Sequence, residues 1–94
     1  MNLHIVISGL VQGVGYRQWL RGRALAAGVT GWVRNRSDGT VEAVLSGPPE
    51  AVEGLVAEAR KGPLGAKVAD IERREASASP ADHASEDFTI ARSL

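Results

Sequence analysis

Cysteine is absent from the 94-residue sequence, which excludes disulfides, thiolate catalysis and cysteine-ligated zinc. No long apolar run is present, and the start, Met1-Asn2-Leu3-His4, has no basic segment of the kind found in a secretory leader. His4 and His83 are far apart and lack partners at metal-ligand spacing, so a metal site is not expected. Together these absences predict a cytoplasmic monomer that needs no cofactor and makes no membrane contact.

Aromatic residues are also scarce, with two Trp, one Tyr and one Phe. Sheet proteins that bind RNA stack bases on closely spaced aromatic side chains, and no predicted strand carries such a set. The net charge is zero, yet residues 1–47 carry five arginines against two acids, whereas residues 48–94 carry six basic and nine acidic residues. This local excess of positive charge favours a small anionic ligand over a nucleic acid, which usually needs a broadly basic surface.

The stretch Ser8–Arg17, SGLVQGVGYR, is the first candidate site for such a ligand. A β-branched hydrophobic run at 3–7 precedes it, and a helical pattern follows it. Its three glycines permit positive φ and close backbone approach, so that successive N–H groups can surround an anion. The following helix adds its unpaired N–H groups and the positive end of its dipole, and Arg17 lies in its first turn. The stretch therefore predicts an anion-binding loop.

The predicted elements follow the order β-α-β-β-α-β, with a short extra strand at the end. Strands are predicted at 3–8, 30–35, 40–45, 67–73 and 87–91, helices at 15–27 and from Pro48–Glu50 to Gly62, a hairpin turn at 36–39 and a surface loop at 76–85. Two crossovers that bracket a hairpin are typical of the α+β, ferredoxin-like split βαβ fold. In that fold two helices cover one face of an antiparallel sheet. Residues 1–94 are expected to form a single domain.

The apolar positions of the helices predict which faces are buried. Tyr16, Leu20, Ala24 and Ala27 recur at helical spacing in the first helix, with Val52, Leu55, Val56 and Ala59 in the second. Gly28 is placed to end the first helix as a left-handed cap. The charged side chains near these elements, Arg21, Arg23, Arg34 and Arg36, are predicted to face solvent.

Asn35 is the second candidate site residue. It shares a strand face with Val33, on the side that the helices cover, and immediately precedes the predicted hairpin turn. If the first strand and 30–35 run antiparallel with one strand between them, their ends coincide only in a specific register. Strand parity therefore permits Asn35 to meet Arg17 without requiring it. The alternative is that Asn35 opens the hairpin by bonding its own backbone, and the spacing alone slightly favours this local role.

Two motifs, GLVQGVGYR at Gly9–Arg17 and GWVRNRSDGTV at Gly31–Val41, closely resemble those of the acylphosphatase family. Two separate motifs at the right separation are more specific than one glycine-rich loop. The resemblance implies hydrolysis of the carboxyl-phosphate bond of acyl phosphates to a carboxylate and inorganic phosphate, without a metal. It also implies that inorganic phosphate, as the product, competes for the site.

The resemblance also implies a role for each matching residue. Arg17 matches the arginine that binds the phosphoryl group, and Asn35 matches the asparagine that orients the attacking water. The backbone that surrounds the phosphoryl oxygens matches five residues, namely Gln12, Gly13, Val14, Gly15 and Tyr16. Because fold does not determine function, a non-catalytic module of the same fold that binds a small anion stays open as the alternative.

Overall fold

The computed structural model describes residues 1–76 and 87–93. Its elements are β1 (Asn2–Leu10), α1 (Tyr16–Ala27), β2 (Thr30–Asn35), β3 (Val41–Ser46), α2 (Pro49–Lys61), β4 (Lys67–Glu75) and β5 (Phe88–Ile90). This order confirms the predicted ferredoxin-like arrangement, and β2 has the predicted bounds. From residue 77 onward, the loop predicted at 76–85 lies outside the described residues, as does His83.

The five strands form one sheet in the order β4-β1-β3-β2-β5. Neighbouring strands among β1–β4 are antiparallel to each other, whereas β5 pairs in parallel with β2. The prediction of an antiparallel sheet is therefore wrong for the last strand, and the sheet is mixed. The reason is topological. The last residue of β4 and the first residue of β2 lie at the same end of the sheet, since Glu75 pairs with Leu3 and Thr30 with Ser46. Because β5 starts from that end and pairs with β2, it runs in the same direction as β2.

Both helices pack on one face of this sheet, where alternate strand residues are buried. Leu3, Ile5 and Ile7 of β1 are at most 2% exposed, whereas His4 and Val6 are partly accessible on the other face. The buried cluster includes Tyr16, Leu20 and Ala24 of α1 together with the four predicted positions of α2, namely Val52, Leu55, Val56 and Ala59. The period-2 and period-3.6 patterns thus identified most of the core.

The first helix departs from its predicted apolar stripe at its last residue. Ala27 is exposed, because α1 ends there and Gly28 turns the chain with φ 73°, donating its N–H to carbonyls of the last turn. Val29, which follows the cap, is 1% exposed and takes the next core position. The predicted left-handed glycine cap is confirmed.

The pairing register brings the end of β1 level with the end of β2. Ile7 of β1 and Asn35 of β2 both pair with Val41 of the intervening β3. Since both strands are antiparallel to β3, they run in the same direction, so the antiparallel arrangement considered from the sequence does not occur. The loop after β1 and the β2–β3 hairpin therefore emerge at the same end of the strands.

Candidate active site

The loop between β1 and α1 is shaped by two glycines. Gly13 and Gly15 both have φ 76°, a conformation that side-chain-bearing residues rarely adopt. A Cβ at either position would meet nothing within 4 Å, so the backbone conformation, and not lack of space, requires glycine. Between and before them, Val11 is 1% exposed and Val14 packs against the core. Apolar anchors thus alternate with exposed, left-handed glycines.

The third glycine of the motif has a different role. Gly9 lies within β1 at a β-bulge opposite β4, with φ 119°. A Cβ there would overlap the carbonyl oxygen of Lys67. Gly9 therefore permits close strand packing and is not part of the anion-binding loop.

The N-terminus of α1 opens directly from this loop. Gly15 is its N-cap, no side chain caps it, and its first turn carries no acid. Hydrogen bonding along the helix begins at Trp19, whose N–H donates to the Gly15 carbonyl at 3.0 Å. The N–H groups of Tyr16, Arg17 and Gln18 have no partner within the helix. They and the helix dipole favour a negative charge at this point.

A cavity of about 180 Å³ lies at this helix terminus and brings the two candidate residues together. It is lined by residues of the loop, α1, β2 and β5, namely Val11, Gln12, Gly13, Gly15, Tyr16, Arg17, Gln18, Asn35 and Ile90. Of the five residues predicted to surround a phosphoryl group, four line the cavity. Val14 does not, since it packs against the core.

Arg17 differs from its neighbouring arginines in its surroundings among the described residues. Within residues 1–76 and 87–93 its side chain forms no salt bridge. By contrast, Arg23 binds Glu58 at 2.6 Å, and Arg34 binds Glu42 at 2.7 Å. Arg17 lines the cavity half-buried, so its positive charge is available there to an incoming anion.

Asn35 contributes a buried side-chain oxygen to the cavity. Its Oδ1 has less than 1 Å² of accessible surface and accepts no hydrogen bond from the described residues. The hairpin closes without this oxygen, through Arg36 N–H to Thr40 O at 2.9 Å and through Asp38 Oδ1, which accepts from the Thr40 N–H at 3.0 Å. An unsatisfied buried acceptor costs about 1–3 kcal/mol. The local role favoured by spacing is thus filled by Asp38, and Asn35 Oδ1 is left free to accept from a molecule in the cavity.

Tyr16 fixes the start of α1 against α2. Its hydroxyl donates to the Ala59 carbonyl at 2.6 Å, and its ring lies 5.4 Å from that of Trp19. Burial raises the pKa of Tyr16 well above its usual value, so the hydroxyl stays protonated and keeps donating. The hydrogen bond therefore holds the cavity end of α1 in place.

Three residues of the cavity wall, Val11, Gln18 and Ile90, were not among the predicted site residues. Ile90 reaches the cavity from β5, where it pairs with Val33. Arg21 Nε holds the start of that strand by donating to Phe88 O at 2.9 Å. The Gln12 side chain, considered only for its backbone, binds the hairpin. For Ile90 the available signal was its apolar character beside Phe88 near the end of the chain. For the Gln12 side chain no sequence signal exists, since its partners lie 24 and 28 residues away.

Two negative observations concern the described part of the chain. Residues 1–76 and 87–93 contain no group of three or more His, Asp or Glu side chains that could hold a metal ion. No helix in these residues is long and apolar enough to cross a membrane.

Fold and cavity together define a small α+β protein with a glycine-rich loop at a helix N-terminus. A family model described as acylphosphatase matches residues 3–90. The acylphosphatase of Azorhizobium caulinodans is 54% identical over 80 residues, covering 85% of this chain and 86% of the relative. That of Pyrobaculum aerophilum is 59% identical over 70 residues, covering 73% and 74%. The crystal structure of acylphosphatase from Bacillus subtilis superposes with a TM-score of 0.87 at 34% identity, covering 96% of this chain and 97% of that one.

The chain belongs to the acylphosphatase family. The resemblance stated from the two motifs is thereby confirmed, and with it the class of enzyme, a hydrolase of small acyl phosphates, that the family represents.

Proposed function

We propose that this protein hydrolyses the carboxyl-phosphate bond of acyl phosphates, with Arg17 and the loop amides binding the phosphoryl group and Asn35 orienting water. The observation that carries the proposal is the cavity itself. It joins a helix N-terminus to the Arg17 guanidinium and the buried amide oxygen of Asn35, neither of which has a side-chain partner among the described residues. Membership in the acylphosphatase family supports the reaction class.

The phosphoryl group binds where positive charge and N–H groups converge. The guanidinium of Arg17 offers a planar fork that can donate two parallel hydrogen bonds to phosphoryl oxygens. The backbone N–H groups from Gln12 to Tyr16 surround the remaining oxygens at the positive end of α1. These donors neutralise the charge that spreads over the phosphoryl oxygens during transfer, which is the main source of catalysis in such reactions.

The attacking water is oriented by Asn35. Its Oδ1 accepts a hydrogen bond from the water and directs the water oxygen towards phosphorus. The new bond forms between the water oxygen and phosphorus while the bond from phosphorus to the acyl oxygen breaks, and its electron pair leaves on the carboxylate. Because an amide is a poor base, the proton of the water passes to a phosphoryl oxygen of the substrate. Positioning supplies the rate gain.

The lining of the cavity agrees with this choice of leaving group. Among the described residues that line it there is no Asp, Glu or His, so none of these side chains can protonate an alkoxide leaving group near neutral pH. A carboxylate leaves as a stable anion and needs no proton. We therefore propose acyl phosphates, and not phosphate esters of alcohols, as the substrate class.

The test is hydrolysis of acetyl phosphate or benzoyl phosphate by the purified 94-residue chain in the presence of EDTA. We expect release of phosphate above background, competitive inhibition by inorganic phosphate, and no loss of activity on chelation. No release above background, with phosphate still bound, would contradict the proposal and support the non-catalytic anion-binding module. Full activity of this chain would also support the proposal that residues 1–94 act as one domain, which the family match over 3–90 favours.

A further inference from the structure

The side chain of Gln12 joins the glycine-rich loop to the β2–β3 hairpin. Its Nε2 donates to the carbonyl oxygen of Arg36 at 2.8 Å and to that of Thr40 at 2.9 Å. A primary amide has two N–H donors, and both are used on the hairpin. Arg36 directly follows Asn35 in the chain, so the contact is made one residue from the proposed water-orienting side chain.

These two bonds are not needed to form the hairpin turn. The Thr40 carbonyl already accepts the Arg36 N–H at 2.9 Å, and the Arg36 carbonyl accepts the Gly39 N–H at 3.2 Å. Each carbonyl oxygen has a second lone pair, which Gln12 occupies. The amide thus adds a connection between distant segments to a turn that is closed by its own backbone.

The connection is made where the sheet no longer provides one. Pairing between β1 and β3 ends at Ile7 and Val41, whereas β1 continues beside β4 to the pair Leu10 and Lys67. After Ile7 the chain therefore leaves the strand that carries the hairpin. Gln12, five residues further on, brings it back. The left-handed glycines on its C-terminal side lack side chains that could make this contact.

We propose that Gln12 is a positioning residue, whose side-chain amide sets the distance between the phosphate-binding loop and Asn35. This inference rests on the proposed function, because it assigns the two sides of the contact to the two parts of that reaction. The loop and Arg17 hold the phosphoryl group, and Asn35 holds the water. Loss of the contact then leaves each part intact but lets their separation vary.

This role predicts a separation of kcat from ligand binding. In Gln12→Met, which keeps the length of the side chain but has no donors, we expect kcat for acetyl phosphate to fall about 10- to 100-fold, the range typical of a displacement near 1 Å. The inhibition constant of inorganic phosphate should stay nearly unchanged, since its binding groups all lie on the loop and α1. Gln12→Asn, whose amide is one methylene shorter, should behave alike and provides a second variant if the first folds poorly.

Two controls separate positioning from a merely structural effect. Ser46→Ala removes another hydrogen bond between distant segments, from Ser46 Oγ to Asn2 Oδ1 at 2.6 Å, at the opposite end of strands β1 and β3, and should leave kcat unchanged. In an Asn35→Ala background, Gln12→Met should cause little further loss of kcat, because there is no oriented water left to misplace. Additive losses in that double variant, or a loss confined to phosphate binding, would overturn the proposal.

A readout without turnover keeps this inference distinct from the proposed function. Phosphate added to the ¹⁵N-labelled protein should shift the loop amides of Gly13 and Gly15 and also the side-chain amide of Asn35. In Gln12→Met we expect the loop signals to respond and that of Asn35 to respond far less. An unchanged Asn35 response would refute the positioning role even if hydrolysis is confirmed. A protein that shows this loss of response but does not hydrolyse acyl phosphates would refute only the proposed reaction.

Discussion

Two side chains of the cavity, Arg17 and Asn35, have complementary and separable tasks in the proposed reaction. Arg17 supplies charge and donors, and Asn35 supplies a single acceptor. Both line the same cavity. Because the phosphoryl group must be bound in the ground state and in the transition state, Arg17 acts on both. Because the water attacks only in the transition state, Asn35 acts mainly on the chemical step.

Replacement of Arg17 is expected to abolish most activity. Arg17→Ala removes charge-assisted hydrogen bonds worth about 1.5–3 kcal/mol each, so kcat/KM should fall about 10²-fold or more. Arg17→Lys should not restore it, since an ammonium lacks the planar pair of donors. Initial rates with acetyl phosphate measure the effect, and Arg23→Lys, at an exposed arginine paired with Glu58, is the matched control. Near-normal rates in either Arg17 variant would contradict the assignment.

Replacement of Asn35 is expected to impair turnover without weakening the fold. In Asn35→Ala, kcat should fall about 10²-fold or more, the range seen when a positioned polar group is removed from an active site. The free energy of unfolding should stay level or rise by up to about 1 kcal/mol, because the variant removes a buried oxygen that has no partner in the described residues. Urea unfolding followed alongside the rate assay tests both parts. A strongly destabilised variant would mean that Asn35 serves the hairpin instead.

The hydroxyl of Tyr16 forms a hydrogen bond that joins α1 to α2 near the site. It donates to Ala59 O, one of the last four carbonyls of α2, which have no partner inside the helix. The same residue begins α1 at the cavity. One hydrogen bond thereby satisfies the end of one helix and anchors the start of the other.

Tyr16→Phe is expected to lower the stability at neutral pH by about 1–3 kcal/mol, since it leaves the Ala59 carbonyl buried without a donor. The hydroxyl also links stability to alkaline pH. Burial raises the pKa of Tyr16 in the folded state, so its contribution is complete below the unfolded pKa, about 10, and is lost as the pH rises towards the folded value. Chemical unfolding at pH 7 and above pH 10 should show a steep alkaline loss in the wild-type protein and a shallower one in Tyr16→Phe. Equal slopes would show that the hydroxyl ionises as freely in the folded state.

The strands show what a local pattern can predict. The alternation of Leu3, Ile5 and Ile7 identified the buried face of β1, and the turn residues Asp38 and Gly39 located the hairpin, where Gly39 has φ 90°. These features depend on neighbours within a few residues, so they could be inferred before any tertiary contact was known. Whether β5 runs parallel or antiparallel to its neighbour could not be inferred in this way, because it depends on which edge of the sheet β5 joins.

In the molecule as a whole, β5 places a residue from near the C-terminus, Ile90, at the cavity. It lies at the edge of the sheet opposite β4 and brings Ile90 to the wall of the cavity. An apolar wall beside the phosphate-binding groups is suited to the acyl part of a substrate. We therefore expect Ile90, which is far from both motifs in sequence, to contribute to the choice of acyl group.

Ile90→Ala is expected to alter substrate preference more than turnover. A benzoyl group can contact the isoleucine side chain, whereas an acetyl group is too small to gain much from it. KM for benzoyl phosphate should therefore rise up to about tenfold, in the range for a lost apolar contact in a binding pocket, with little change for acetyl phosphate. The inhibition constant of inorganic phosphate serves as the internal control. Equal changes for both substrates would place the acyl group elsewhere.

The amino-acid sequence alone was enough to identify the helices, most strands and the two motifs, because periodicity, glycine caps and turn chemistry act over a few neighbouring residues. It also nominated Arg17 and Asn35 through the family resemblance. Their meeting in one cavity was decided by the tertiary structure. It follows from the register of β1 and β2 on β3, which the packing of one buried face selects over alternatives shifted along the strands. The Gln12 contact and the position of Ile90 follow from that same register and from the edge that β5 joins, so they exist only once the sheet is assembled.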